Sequence, residues 1–300
     1  MKLNTNQRGT QGLSIALIII GFAGSAQAQT VIWDGSTDTN WSLDPDATSW
    51  SGSTYNDGDD AQFNGSGVGN VDITGAVNPG SISVDTSSGD YNFTESGGSI
   101  TGGGALTKSG TGTLTIETDM SAYTGTATIN GGTLQLRDDA DASFSIYNGN
   151  ININNAAELK VDADGGLIYI QNNVITFDSS GGGAIVLAGG NTVMQNSTFT
   201  TSGGAQNTIS GPAVWNTGNG GGNIFNVVDG TSATDLLVSA RIYNGGNLTK
   251  TGVGTMELTG DNFYTGNTTV SGGTLEIGGA GRLGEGTYAE AVSIASGATF

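Results

Sequence analysis

Two stretches of the sequence decide the fold, because they are copies of one another. Residues 104–136 read GALTKSGTGTLTIETDMSAYTGTATINGGTLQL, and residues 246–277 read GNLTKTGVGTMELTGDNFYTGNTTVSGGTLEI. Aligning Lys108 with Lys250 and Tyr123 with Tyr264 leaves a one-residue gap in the turn between them. Internal repeats of this length are typical of solenoids, in which each unit packs only on its neighbours.

Each copy contains short strands that have one apolar face. Leu114 and Ile116 alternate with threonines, and Leu134 and Leu136 alternate with polar residues in the same way. Glycine pairs mark the turns between these strands, where a positive φ is needed. The second copy repeats the pattern with Met256, Leu258, Leu275 and Ile277. A strand of about five residues is not stable alone, so the pattern predicts coils that stack on one another.

The stretch between the copies keeps the same texture without the full motif. Apolar residues alternate in short runs that glycine clusters separate, and no helical period of useful length occurs. The predicted strands are Ser143–Tyr147, Leu159–Asp162, Leu167–Ile170, Val174–Phe177, Ala184–Leu187, Ile224–Val228 and Leu236–Ile242. We therefore predict an all-β chain that forms a single β-solenoid.

The N-terminus has the features of an export signal. Lys2 and Arg8 precede the apolar run 13–23, LSIALIIIGFA, which is shorter than the ~20 residues that a membrane helix needs. The small-residue pattern Ala-Gln-Ala follows and ends at Ala28, so we predict cleavage after Ala28. A retained membrane anchor is the weaker alternative.

The composition excludes several classes of function. Cleavage after Ala28 would leave 6 basic against 27 acidic residues, a net charge of −21, which disfavours binding to nucleic acid or anionic membranes. The absence of histidine removes the commonest general base and most transition-metal sites. The absence of cysteine means that stability must come without disulfides.

The two copies carry a family resemblance. LTKSGTGTLT followed by YTGTATINGGTLQL, and LTKTGVGTMEL followed by YTGNTTVSGGTLEI, resemble the autotransporter-associated β-strand repeat, also called the passenger-associated transport repeat. The lead-in around Trp33, Trp41 and 58–63, and the tail from Gly281 to Phe300, are similar to the same family in style.

The resemblance implies a right-handed parallel β-helix in a large bacterial protein that is secreted or displayed on the cell surface. Members of the family are often passengers of an outer-membrane β-barrel. We expect residues 1–28 to be the signal peptide, 29–103 an N-terminal cap with the first coils, and 104–300 the β-helix, truncated at its C-terminus. A partner barrel or anchor would then lie beyond Phe300.

Catalysis in such a helix would need paired carboxylates, set roughly 5 to 10 Å apart across a glycosidic bond. The candidates lie in three groups: Asp57, Asp59 and Asp60; Asp138, Asp139 and Asp141; Asp162 and Asp164. Each group lies in or beside a turn, where an aspartate commonly caps its own backbone. We expect turn capping for all three groups.

The sequence gives little support to two further kinds of site, a lyase site and a calcium-binding loop. A lyase would need Arg or Lys as a base beside bound calcium, and Arg137 and Lys160 are the bases that lie next to acidic groups. The segment that begins at Asp162 is similar to a calcium loop, but its twelfth position is Asn173, where such loops have a bidentate Glu. No dedicated metal site is predicted.

Other recurrent residues have structural interpretations. Lys108 and Lys250 are expected on turns, where they would balance local charge or block edge pairing. Trp33, Trp41 and Trp50 would form the cap over the first coil, with a sugar-stacking platform as the alternative. Residues 150–155, NININN, are either an asparagine ladder between coils or a polar edge loop.

We conclude from the sequence that the chain is a structural, adhesive segment of the cell surface. No catalytic, cofactor-binding or metal-binding residue is assigned, and no cofactor is expected. Extracellular glycans or surface proteins are the expected partners. The alternative is a β-helix that binds or cleaves carbohydrate, as polysaccharide lyases and hydrolases do.

Overall fold

The computed structural model describes residues 28–35, 38–138, 143–178, 180–218, 221–284 and 287–300. Within these ranges the chain is a parallel β-helix with no α-helix. Residues 1–27 of the predicted signal peptide and the candidate residues Asp139 and Asp141 lie outside the described residues. The predicted cleavage site after Ala28 lies at their edge. No described helix is long and apolar enough to span a membrane.

The strands of the described residues form two long sheets and one short sheet. The first sheet contains, in spatial order, β1 Thr30–Ile32, β3 Asp60–Phe63, β6 Ser81–Asp85, β9 Ala105–Ser109, β11 Ala127–Ile129, β14 Ile151–Asn154, β16 Val174–Asp178, β18 Thr198–Thr201, β21 Gly222–Asn226, β24 Asn247–Thr251, β27 Thr268–Val270 and β29 Val292–Ile294. The second contains β2 Asn40–Trp41, β4 Gly69–Ile73, β7 Tyr91–Glu95, β10 Thr113–Ile116, β12 Thr133–Arg137, β15 Glu158–Gln171, β17 Ala184–Gln195, β19 Asn207–Ser210, β22 Leu236–Val238, β25 Thr255–Leu258 and β28 Thr274–Ile277. Beside this path run β13 Ser143–Tyr147, β20 Val214–Asn216, β23 Arg241–Asn244 and β26 Phe263–Tyr264, and the short sheet pairs β5 Ala76–Val77 with β8 Ser99–Ile100.

Every ladder between these strands is parallel, and successive coils stack in register. Leu114 pairs with Leu134, Leu134 with Leu159, and Leu159 with Ile185. Each of these side chains is buried. Burial of one such side chain contributes about 1.5 to 3 kcal/mol, so the stacked columns are the main source of stability. The alternation seen in the sequence is the alternation between this core and the outer face.

At two corners a glycine cluster does not end the strand, although the sequence predicted that it would. The Asp-Gly-Gly at 164–166 was expected to separate two strands, yet β15 runs through it with a register shift between Asp162 and Leu167. β17 likewise continues through Gly189 and Gly190. A positive φ at Asp164 and at Gly190 lets the backbone bend there while pairing resumes beyond the corner. Conversely, the single strand expected over 236–242 is two strands: β22 pairs with β19 and β25, and β23 pairs with β20 and β26.

Asparagine shapes several other corners. The described non-glycine residues with positive φ are Asn155, Asp164, Asn172, Asn196 and Asn244, the residue types that tolerate this conformation best. Neither alternative for 150–155 holds in full, because Ile151–Asn154 is strand β14 rather than a loop, and the asparagine ladder reduces to one inter-coil amide pair, in which Asn154 Nδ2 donates to Asn130 Oδ1 at 2.8 Å. Asn152 instead lies in register between Thr128 and Thr176.

The N-terminal aromatic residues form the predicted cap. Trp33, Trp41 and Trp50 are at most 2% exposed, and Trp41 packs on Phe63 and Phe93 of the following coils at 5.4 and 5.7 Å between ring centroids. Rings this deeply buried have no face for a sugar. The alternative of a sugar-stacking platform at these tryptophans is therefore wrong.

Candidate binding surfaces

A shallow polar groove lies on the outer face of the second sheet and has a volume of about 540 Å³. It crosses β4, β7, β10, β12 and β15, because the outward residues of these strands stack in register, as Asn92, Thr115 and Gln135 do. The side chains of this polar groove are Asn70, Asp90, Tyr91, Asn92, Thr113, Thr115, Glu117, Gln135, Arg137, Asp162 and Asp164, with Gly69 at its edge.

Arg137 is the centre of the charge arrangement in the polar groove. Its Nη1 lies 2.9 Å from Glu117 Oε1, and its Nη2 lies 3.9 Å from Asp164 Oδ2. Asn92 Nδ2 donates to the second oxygen of Glu117 at 3.2 Å, and Gln135 Nε2 donates to Asp162 at 3.4 Å. Three of the four carboxylates of the groove, those of Glu117, Asp162 and Asp164, thus lie against a guanidinium or a side-chain amide. What the groove offers to a ligand is a row of hydroxyl, amide and ionic groups that suits a polyhydroxylated molecule.

The structure brings only part of the predicted site residues together. Arg137, Asp162 and Asp164 meet in the polar groove, but Lys160 is not among its lining residues. Asp138 is buried, outside the groove, and its amide donates to the Asp162 carbonyl at 3.1 Å. The similarity to a calcium loop has no structural counterpart, because 162–171 is strand rather than loop. Among the described residues, no three carboxylates cluster in a way that could hold a metal ion.

Local turn capping, expected for the whole first aspartate group, occurs at Asp59 through the Asn56 amide, and the other bonds of the group run between coils. Asp57 accepts a hydrogen bond from the Asn78 amide at 2.8 Å, and Asp59 accepts from the amides of Gln29 and Asn56. Asp60 accepts from the Ser81 hydroxyl at 2.7 Å. These carboxylates tie neighbouring coils together and do not face one another across a cleft.

The expectation for the two recurrent lysines is wrong. Lys108 and Lys250 point into the helix and are fully buried. Lys108 Nζ donates to the carbonyls of Ser109, Gly110 and Gly131 at 3.0, 3.2 and 2.9 Å. Because Gly131 belongs to the next coil, the ammonium joins two coils. We call this arrangement the lysine staple.

The second copy builds the same lysine staple. Lys250 Nζ donates to the carbonyls of Thr251, Gly252 and Gly272 at 2.8, 3.0 and 3.1 Å. In the sequence the lysine looked exposed because it stands beside a turn. The overlooked signal was its place in the alternation, since Leu106 and Lys108 share one face of β9, as Leu248 and Lys250 do in β24.

Burial affects the acid–base properties of the staples. It lowers the pKa of Lys108 to about 8, against the opposing attraction of Asp85 and Asp90. It lowers the pKa of Lys250 to about 8 as well, and there Asp235 opposes the change. At neutral pH both ammonium groups remain protonated and supply the donors that the three carbonyls require.

Sequence reasoning missed an aromatic ridge on a third face of the helix, formed by Tyr243 of β23 and Phe263 of β26. The two residues are register partners, and Tyr243 is 50% exposed. The Arg241 guanidinium carbon lies 3.9 Å from the centroid of the Phe263 ring. A cleft of about 370 Å³ on one side of the ridge also involves Asn191 and Val214, and one of about 350 Å³ on the other side involves Tyr288 and Glu290. Only the register between distant strands reveals this ridge.

Comparisons with known proteins agree with the repeat structure. The family model described as Passenger-associated-transport-repeat matches residues 106–136 and 248–277. The chain carries two passenger-associated transport repeats. Each matched segment begins two residues before the staple lysine and ends in β12 or β28, the strands of the next coil that pair with β10 and β25, so the repeat coincides with a structural unit.

A curated relative extends the likeness beyond the two repeats. The chain is 32% identical over 200 residues, 66% of its length, to the "Adhesin BmaC autotransporter" of Brucella suis biovar 1 (strain 1330), of which it spans about 4%. No solved structure matches the chain significantly. Together the repeat and this relative indicate a secreted or outer-membrane surface location.

Proposed function

We propose that the chain is a non-catalytic, adhesive passenger segment that presents its outer faces to extracellular ligands. The observation that carries this proposal is the polar groove, a row of stacked polar side chains around Arg137 on a rigid parallel sheet. Rigid backbone spacing of about 4.8 Å between coils suits a ligand that is itself extended and repetitive. The adhesin name of the curated relative supports the same function.

The alternative is a carbohydrate-active β-helix, and the polar groove is where its chemistry would occur. Glycoside cleavage needs two carboxylates that face one another across the scissile bond. Glu117 and Asp164 instead share the Arg137 guanidinium, and the Asp164 side chain is 59% exposed. This arrangement favours binding over proton transfer.

Two measurements on the secreted protein separate the two functions. We expect the protein to bind polar glycans or surface proteins and to release no product from polysaccharides. Arg137→Gln should weaken that binding, whereas Lys160→Gln, which removes a charge outside the groove, should not. Polysaccharide turnover that disappears in Glu117→Gln or in Asp138→Asn with Asp141→Asn would contradict the proposal.

We also propose the domain boundaries and the processing site. Cleavage after Ala28 would start the mature chain at Gln29, whose amide donates to Asp59 of the first coils at 3.0 Å. The cap would cover 29–103 and the repeat-bearing helix 104–300. N-terminal sequencing of secreted material should give Gln29, and a terminus at Met1 or Lys2 would refute the cleavage site.

A further inference from the structure

The aromatic ridge has the geometry of a stacking surface for a sugar ring. Tyr243 and Phe263 lie on paired parallel strands about 4.8 Å apart, so the two aromatic residues are neighbours on successive coils, and the Arg241 guanidinium lies over the Phe263 ring. Half of Tyr243 is open to solvent, unlike the cap tryptophans. Planar aromatic faces that stay exposed and fixed bind the apolar faces of a ligand without a large ordering cost.

Arg241 gives one side of the ridge a positive charge. Arg137 and Arg282 are ion-paired, whereas Arg241 makes no ion pair among the described residues. It is held by stacking on Phe263 and by donating from Nε to the Asp261 carbonyl at 3.3 Å. On a chain with a net charge of −19 such a cation is a local exception. A planar guanidinium in this position suits a carboxylate, which it can bind through two parallel hydrogen bonds.

The two clefts beside the ridge differ in polarity and therefore orient a ligand. Asn191, Val214 and Arg241 line the first cleft, and Tyr288 and Glu290 line the second. An anionic group is favoured on the Arg241 side and repelled on the Glu290 side. An uncharged sugar hydroxyl can hydrogen-bond to Asn191 on the Arg241 side, whereas the Tyr288 hydroxyl on the other side is already bonded to Gly266 and Thr268.

We propose that the aromatic ridge binds a carboxylate-bearing pyranose residue of an extracellular glycan. The apolar face of the ring stacks on Tyr243, and the carboxylate pairs with the Arg241 guanidinium. This inference rests on the proposed adhesive function and names a surface and a ligand class for it. The binding is non-covalent and needs no cofactor.

The test uses the secreted protein on a glycan array that contains each acidic glycan beside its neutral parent. We expect acidic members to bind and their neutral parents to bind at least about tenfold more weakly, the usual value of one charged hydrogen-bonded contact. Calorimetric titration with the best acidic glycan then compares variants. Arg241→Gln should remove the preference for the acid, Tyr243→Ala should weaken both members of the pair about tenfold, and Tyr243→Phe should retain binding.

Matched controls come from the same fold. Tyr169 occupies the same register column three coils earlier and lines neither cleft, so Tyr169→Ala should bind as the unmodified protein does. Arg282→Gln removes the same charge from an ion-paired arginine and should also have no effect. The urea midpoint of each variant shows that the fold is intact.

Three outcomes would overturn the inference. Binding that Arg137→Gln abolishes and Arg241→Gln leaves unchanged would place the ligand in the polar groove, and the proposed adhesive function would stand. Equal binding of acidic and neutral glycans would remove the role of Arg241. Attachment to cells without binding to any acidic glycan would leave the adhesive function intact and exclude this site.

Discussion

The two repeat copies and the coils between them differ in the side chains that hydrogen-bond to the buried backbone groups at the coil corners. In the repeats a buried lysine ammonium satisfies the corner carbonyls of two coils, and its register neighbours are apolar, as Val84 and Ile129 are for Lys108. In the coils between the copies, buried asparagines make such hydrogen bonds. Asn223 accepts from the Ser197 amide at 3.1 Å and donates to the Met194 carbonyl at 2.8 Å.

This difference shows what the repeat motif encodes. A buried polar backbone group without a partner is costly, so each coil corner needs a donor or an acceptor from a side chain. The long lysine side chain reaches across a corner from inside the core, whereas an asparagine must be placed in the corner itself. The recurrence of Lys108 and Lys250 is therefore explained by corner chemistry rather than by a ligand.

The largest expected effect concerns a feature that both regions share. Gly125, in a repeat, and Gly149, outside it, each approach the carbonyl of a glycine one coil earlier so closely that a Cβ would collide with it. Gly125→Ala and Gly149→Ala should each lower the free energy of unfolding by about 4 kcal/mol, measured by urea denaturation. Gly103→Ala, where an added Cβ meets nothing closer than 3.6 Å, is the control. A much smaller loss at Gly149 would show that the coils between the repeats are stacked more loosely.

The second prediction concerns the lysine staples, which distinguish the repeat copies from the coils between them. Lys108→Met keeps the apolar length of the side chain but leaves three corner carbonyls without their donor, and we expect a loss of about 3 kcal/mol in the free energy of unfolding. Lys250→Met should cost the same. Lys160→Met, on the outer face, should change stability by less than about 0.5 kcal/mol. Equal effects at all three lysines would mean that the staples contribute nothing.

The third prediction concerns the pH dependence of the free energy of unfolding. Burial lowers the pKa of both staple lysines to about 8, while an unfolded lysine titrates near 10.4. Between these values the unfolded chain binds more protons than the folded chain, so the free energy of unfolding should rise with pH from about 8 to 10. The rise should be smaller in Lys108→Met and Lys250→Met than in the unmodified protein.

The measurement must stop near pH 10 because the buried tyrosines act in the opposite direction. Burial raises the pKa of Tyr123, Tyr147 and Tyr264. Above pH 10 the unfolded chain loses phenolic protons that the folded chain keeps, so stability falls. A stability that falls steadily from pH 8 to 10 would contradict the lowered lysine pKa.

Much of the fold could be predicted from the sequence, because its information is local and periodic. The alternation around Leu114 and Leu134 predicted stacked strands, and the tryptophans before residue 51 predicted a cap. Corners were harder to predict, since the Asp-Gly-Gly at 164–166 can either end a strand or bend it, and only pairing with the next coil decides.

The candidate sites were less predictable for a related reason. Asp162 and Asp164 were chosen as a pair close in sequence and Arg137 because it stands beside Asp138, but Glu117 joins Arg137 only through the register of β10 and β12. The aromatic ridge pairs Tyr243 with Phe263, which the sequence separates by a whole coil. Lys108 was misplaced because a charged residue beside a turn is usually exposed, and the cage of carbonyls that permits its burial exists only in the folded coil.

Lysine acetylation of the folded protein at pH 8, followed by mass spectrometry, tests the lysine staple most directly. The described residues contain three lysines, Lys108, Lys160 and Lys250. The buried staples predict rapid modification of Lys160 and protection of the other two until the protein is unfolded in denaturant. Modification of Lys108 and Lys250 at the rate of Lys160 in the folded protein would show that they are surface lysines and would contradict the account.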